Sequence, residues 1–185
     1  MSHSNDTNHP FTPDNDQPVL VAIDFSEDSR AALIWACNYA ESTGAKLIVL
    51  HVVHDLASHP GFYHPENTEP LKPMQEVAET MMSGFLDQLK NEHSELRPLQ
   101  TAEVQLIPGL PPTRIIEVAD LQKASLIAIG GRGMASPPHK RLGSVVQRVI
   151  KLSAIPVIVV KSEKHGKLKK KEKEKKRNKK DREKR

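Results

Sequence analysis

Five short apolar runs, each separated from the next by a stretch with helical periodicity, constrain this chain more than any other feature. Residues 19–23 (Val-Leu-Val-Ala-Ile), 46–53 and 125–129 are apolar with little alternation, as expected of strands covered on both faces. Residues 101–107 alternate instead, with Ala102, Val104 and Leu106 on one face, which predicts an edge strand; residues 155–160 supply the fifth. Between the runs, Ser26 is placed to cap a helix with Ala32, Trp35, Ala36, Tyr39 and Ala40 on its apolar side, and Gly44 to end it. A second helix is expected from about residue 73, facing inward with Val77, Ala78, Met81, Met82, Phe85, Leu86 and Leu89. Pro111-Pro112 opens a third, packed by Ile115, Ile116, Ala119 and Leu121. Val145, Val146, Val149 and Ile150 mark a fourth, running to about residue 152. Five strands alternating with four helices predict a single-domain α/β fold, a doubly wound five-stranded parallel sheet with helices on both faces.

In such sheets ligands bind at the carboxyl ends of the strands, where the strand order reverses. The fourth run leads into Gly130-Gly131-Arg132-Gly133, then nine residues, then Gly143-Ser144 and the last helix. Glycines let a backbone approach a ligand closely. The opening turn of a helix offers unpaired N–H groups and partial positive charge, which suit phosphate. Ser144 adds a hydroxyl, and Arg132 inside the loop has a guanidinium fork suited to phosphate oxygens. The pattern is neither the dinucleotide fingerprint G-x-G-x-x-G nor the Walker loop ending in Gly-Lys-Ser/Thr. Between the glycines, Pro137-Pro138 stiffen the segment, and His139-Lys140-Arg141 are either phosphate contacts or a solvated cluster.

Asp24 ends the first run and Gly130 the fourth, so topology brings the two features least like core into one crevice. Beside a phosphate loop, Asp24 can accept hydrogen bonds from a ribose or base, hold Mg²⁺ with the phosphates, or cap the first helix. A phospho-acceptor role is disfavoured, because the first strand ends in a single acid and no Asp stands directly after Ile107 at the end of the third.

The formal charge of +4 hides a division. Residues 164–185 carry 14 Lys/Arg against 4 Asp/Glu, a net of +10, which leaves −6 for residues 1–163. Residues 1–17 are polar and, like 163–185, lack the apolar content to order themselves, leaving 18–162 as the folded domain. The basic segment has no aromatic residue; it either solubilises the chain or attracts nucleic acid or another polyanion. No secretory signal and no membrane span is visible, and the lone Cys37 fits a reducing, cytoplasmic compartment.

Other chemistries find less support. His51, His54, His59 and His64 cluster around the proline-rich stretch 54–73, but their spacing matches no closed metal site. Gly143-Ser144-Val145 lacks the second half of a hydrolase elbow. No committed catalytic residue or general base emerges, so a dedicated enzyme is not expected, although slow nucleotide hydrolysis is compatible with the loop.

The spacing Gly130-x2-Gly133-x9-Gly143-Ser144 resembles the signature of ATP-binding members of the universal stress protein family. The resemblance extends to Val21-Ala22-Ile23-Asp24-Phe25-Ser26, to Leu50-His51-Val52-Val53, to Gly109-Leu110-Pro111 and to Pro156-Val157-Ile158-Val159-Val160. It covers about residues 18–161 and implies an adenine-nucleotide alpha hydrolase-like fold. It further implies an adenine-nucleotide ligand (ATP, or AMP or ADP) and a homodimer pairing through the last strand. On the matching positions, Asp24 would contact the nucleoside, Ala22 and Ile23 would line its slot, and Val52 would meet adenine through its backbone. Gly130, Gly133, Gly143 and Ser144, continued by Val145, would hold ribose and phosphates. The family implies a stress-response regulator or adaptor. The competing expectation is a nucleic-acid or ribosome-associated adaptor working through the basic segment, its nucleotide site vestigial.

Overall fold

The structure, a computed structural model, describes residues 17–53, 74–134 and 142–162. The expectations for both terminal segments, for the histidines at 54, 59 and 64 and for residues 137–141 lie outside them. The elements run β1 (Val19–Ile23), α1 (Glu27–Thr43), β2 (Leu47–Val53), α2 (Met74–Glu92), α3 (Arg97–Gln100), β3 (Glu103–Pro108), α4 (Pro111–Leu121), β4 (Leu126–Gly130), α5 (Ser144–Leu152) and β5 (Val157–Val160). The strands form one parallel sheet in the order β3-β2-β1-β4-β5, which confirms the doubly wound arrangement and puts the alternating strand β3 at an edge. The chain winds outward from β1 to β3, crosses back to β4 beside β1, and winds outward again. Right-handed crossovers then force the helices to opposite faces.

Residues of opposite parity along the central strands feed two cores. Val19, Val21, Val49 and Ala128 pack with Ala36, Met82, Leu86 and Leu99 beneath α1, α2 and α3. Leu20, Leu50, Ile127 and Ile129 pack with Ile115, Ala119, Val146 and Val149 beneath α4 and α5. A fully buried aliphatic side chain contributes about 1.5–3 kcal/mol. Leu20, Leu50 and Ile127, with no exposed surface, are therefore the heart of the second core.

The helices depart locally from expectation. The first helix adds Leu33 and Cys37 to the expected inward stripe of Ala32, Ala36 and Ala40, while Trp35 and Tyr39, stacked on each other at 5.3 Å, pack half-buried against the same core. Small residues on the buried stripe let this helix approach the strands closely. In α2, Val77 and Met81 are exposed, because the helix buries the stripe of Ala78, Met82, Leu86 and Leu89, flanked by the half-buried Phe85. Leu121, the last residue of α4, is 80% exposed; Val118 occupies the inward position instead. The single-turn helix α3 is additional, opened by the Pro98 of Arg97–Gln100 and too short to leave a periodic signature. Among the described residues no helix is long and apolar enough to cross a membrane.

Candidate functional site

Because β1 and β4 are neighbours, Asp24 and Gly130 emerge side by side at the carboxyl edge of the sheet, as topology predicts. The turn between β1 and α1 is closed by Ser26. Its hydroxyl oxygen accepts the Ser29 N–H at 3.1 Å, so Ser26 is the N-cap of α1. Asp24 Oδ1 accepts the Ser26 backbone N–H at 3.1 Å and lies 2.6 Å from the Ser26 hydroxyl, which also sits 3.1 Å from the Arg132 carbonyl oxygen. Asp24 is thus not the helix cap. Its carboxylate is exposed and held at the lip of the crevice.

Phe25 adopts a left-handed backbone (φ 63°), a conformation costing a non-glycine residue about 1–2 kcal/mol. Its ring packs against His51 (centroids 4.6 Å apart) and Phe85 (5.6 Å). His51 Nδ1–H donates to the Ile23 carbonyl at 2.8 Å, tying the end of β1 to β2. The ring–ring contacts and this bond hold the chain in the turn that presents Asp24. Among the described residues no group of three His, Cys, Asp or Glu could hold a metal.

The glycines serve different purposes. A Cβ on Gly130 would lie 2.5 Å from the Ser29 amide nitrogen and 2.7 Å from the Asp28 carbonyl carbon, inside the backbone of α1. A Cβ on Gly133 would collide with Asp24 Oδ2. A Cβ on Gly131 would meet chiefly the side chain of Lys161, at 3.0 Å. Two backbone bonds fix this loop: Gly131 N–H donates to the Val160 carbonyl at 2.7 Å, and Gly143 N–H donates to the Gly131 carbonyl at 2.9 Å. Gly143 takes the N-cap position of α5 without a side chain to offer, so the opening turn of that helix keeps N–H groups for a ligand.

Together these elements enclose a cavity of about 410 Å³, within the range of small-molecule sites. Nine of the ten residues singled out in the sequence line it: Ala22, Ile23, Asp24, Val52, Gly130, Gly133, Gly143, Ser144 and Val145. Further lining comes from Leu50, Pro111, Ile115, Ile129 and Met134. Leu50 was legible, since it shares the face of Val52 two residues on. Pro111 and Ile115 were not, because only the packing of α4 brings them to the mouth. One wall is therefore apolar, and the opposite side offers helix N–H groups and a carboxylate.

Arg132 is the exception. Its side chain is buried (8% exposed), with Nε 3.9 Å from Oδ2 of Asp28, and it is not among the residues that line the cavity. Asp28, in the first turn of α1, has no exposed surface and accepts the Ser162 backbone N–H at 2.9 Å through Oδ1. The arginine that sequence position alone offered to phosphate is directed to a buried carboxylate instead.

Residues 17–161 match the model of the universal stress protein family. The chain is 31% identical over 156 residues to the universal stress protein YxiE of Bacillus subtilis, covering 77% of this chain and 97% of that one. The universal stress protein UspA from Lactobacillus plantarum superposes with a TM-score of 0.61 at 25% identity, over 78% of this chain and 97% of that one. A universal stress protein from Archaeoglobus fulgidus, solved in complex with dAMP, superposes with a TM-score of 0.53 at 22% identity, over 78% and 97%. Family match, sheet order and glycine spacing agree: the chain belongs to the universal stress protein family.

Proposed function

We propose that this protein binds an adenine nucleotide, ATP foremost, in the crevice between β1 and β4, and acts as a nucleotide-dependent regulator in a stress response. One observation carries the reading. The Asp24 carboxylate, the glycine loop and the N-terminus of α5 converge on a cavity whose other wall is apolar. That division suits a nucleotide, with the flat base against Ala22, Val52 and Ile115 and the phosphates toward Gly133, Gly143 and Ser144. Asp24 then accepts from the ribose hydroxyls, or with Mg²⁺ binds the phosphates. The dAMP complex of the Archaeoglobus fulgidus relative, on the same fold, supports an adenine ligand.

The protein works as a binder rather than a dedicated enzyme, and ATP shifts its conformational and partner equilibria through differential affinity. It does so in the cytoplasm as a homodimer. The β5 strand lies at the sheet edge with Ile158 36% exposed, a surface suited to pairing with a second copy.

Calorimetry with AMP, ADP and ATP, each with and without Mg²⁺, tests the reading, together with mass spectrometry of any small molecule that copurifies. Binding in the micromolar range is the expected result. No heat and no saturation up to about millimolar nucleotide, an affinity of only about −4 kcal/mol, overturns it.

A further inference from the structure

Ser26 stands between the two halves of the crevice, and its hydroxyl has more partners than a helix cap needs. The oxygen accepts the Ser29 N–H at 3.1 Å, which is the capping bond. The same oxygen lies 2.6 Å from Asp24 Oδ1 and 3.1 Å from the Arg132 carbonyl oxygen in the glycine loop. Both of those are acceptors, and a hydroxyl carries one proton. The shorter separation is that of a charge-assisted hydroxyl–carboxylate bond, so the proton belongs to Asp24. The Arg132 carbonyl is the second claimant, and Ser26 is buried away from water that would compete for either bond.

Asp24 is engaged on both of its oxygens. Oδ1 also accepts the Ser26 backbone N–H at 3.1 Å, and Oδ2 occupies the place that a Cβ on Gly133 would need. A ligand hydroxyl donating to this carboxylate joins bonds already made there and loosens its hold on the Ser26 proton. Rotation about the Ser26 Cβ–Oγ bond then delivers the proton to the Arg132 carbonyl with no movement of the backbone. That carbonyl belongs to a connected piece of chain. The carbonyl of Gly131, one residue earlier, accepts the N–H of Gly143, the N-cap of α5, at 2.9 Å. A bond from Ser26 to Arg132 therefore fastens the loop that sets Gly133, Gly143 and Ser144, the phosphate side of the cavity.

We propose that Ser26 couples sugar recognition to phosphate recognition: a sugar hydroxyl donating to Asp24 releases the Ser26 proton to the Arg132 carbonyl, and the fastened glycine loop then holds phosphate more tightly. The inference rests on the nucleotide reading above. Ser26 is a positioning residue in this scheme, acting through Asp24 and Arg132, and it is not among the residues that line the cavity. Coupling is reciprocal, so phosphates that fasten the loop strengthen the sugar contact by the same factor. A helix cap alone acts differently. It stabilises α1 whatever the crevice holds, and its loss changes the affinity for every nucleotide by one common factor.

The test uses the full chain with Ser26→Ala, Ser26→Gly and Ser26→Thr. Glycine serves nearly as well as serine at a helix N-cap, so the second variant loses the hydroxyl while keeping the helix start, and the third keeps the hydroxyl. Calorimetry at one fixed Mg²⁺ concentration measures AMP, ATP and their 2′,3′-dideoxy counterparts, which lack both sugar hydroxyls. The quantity read is the gain in affinity from monophosphate to triphosphate. In the unsubstituted chain and in Ser26→Thr that gain should be roughly tenfold larger for the ribose pair than for the dideoxy pair. In Ser26→Ala and Ser26→Gly the two gains should be equal. Equal gains in the unsubstituted chain overturn the inference alone, because sugar and phosphate are then read independently. So does a difference that survives in both Ser26→Ala and Ser26→Gly, the four ligands having weakened by one factor, which is the behaviour of a cap. Binding of neither AMP nor ATP by the unsubstituted chain overturns the nucleotide reading and this inference with it.

Discussion

The Cα of Gly130 sits so close to the first turn of α1 that a Cβ there would come within 2.5 Å of the Ser29 amide nitrogen. The glycine ending β4 is therefore a packing requirement between a strand and a helix, whatever the crevice binds. Gly133 is different, for its missing side chain makes room for the Asp24 carboxylate. A single spaced motif thus meets two different packing requirements, one against the backbone of α1 and one against the Asp24 carboxylate, and substitutions separate them.

Gly130→Ala should destabilise the protein by about 3 kcal/mol or more, since overpacking against a backbone has no flexible neighbour to absorb it. Gly131→Ala should cost less than about 1 kcal/mol, because Lys161 can swing aside. Urea denaturation of the two variants decides the matter. Equal losses would show that the loop, not its contact with α1, sets the cost.

Asp24→Ala removes an exposed carboxylate that accepts from the Ser26 N–H and hydroxyl. Losing those bonds should lower stability by about 1 kcal/mol. Nucleotide affinity should fall further, tenfold to a hundredfold on the order of 1.5–3 kcal/mol for hydrogen bonds to a charged group. Calorimetry on the folded variant separates the two effects. Undiminished affinity would remove Asp24 from the ligand.

Much of this architecture is legible in the sequence. The unbroken apolar runs could only be strands covered on both sides, and winding rules then brought Asp24 beside Gly130. Nine of the ten candidate residues line the cavity for that reason. What sequence could not supply was direction across helices. Val77 and Leu121 keep helical spacing with core residues, but lie outside stripes whose width only the packed neighbour determines. Arg132 marks a second limit, since proximity in sequence to a phosphate loop does not say which way a long side chain turns. The competing attraction, Asp28, lies 104 residues earlier and resembles any acid in a first helical turn.

Stability should decline at both ends of the pH range, for separate reasons. Glu92, hydrogen-bonded by the Gln88 side chain and paired with Arg30 of α1, is held below the ordinary carboxylate value of 4.5. Its contribution is present above that value and is lost as pH falls through the lower folded value. Burial, with Glu41 nearby, pushes the Cys37 thiol from 9.0 up to about 12. That contribution is complete below 9.0 and is lost as pH rises toward 12. Iodoacetamide at pH 8–9 should therefore leave native Cys37 unmodified and label it once urea unfolds the chain. Rapid labelling of the folded protein would place the thiol outside the core.

Arg132 offers the sharpest contrast between a ligand role and a packing role. With its guanidinium buried against Asp28, Arg132→Ala should destabilise the fold by about 2–4 kcal/mol, below the full cost of breaking a tight buried pair because Nε stands 3.9 Å from the carboxylate. Asp28→Ala should cost at least as much, since it also strips the acceptor from the Ser162 N–H. The double variant should lose less than the sum, with a coupling of about 1–2 kcal/mol, because each single change leaves the other charge without its partner in the pair. Nucleotide affinity, measured where Arg132→Ala remains folded, should stay within about twofold, a shift of no more than 0.4 kcal/mol or so. A tenfold loss of ATP affinity with additive stabilities would instead mean that Arg132 leaves Asp28 for the phosphates when ligand is bound.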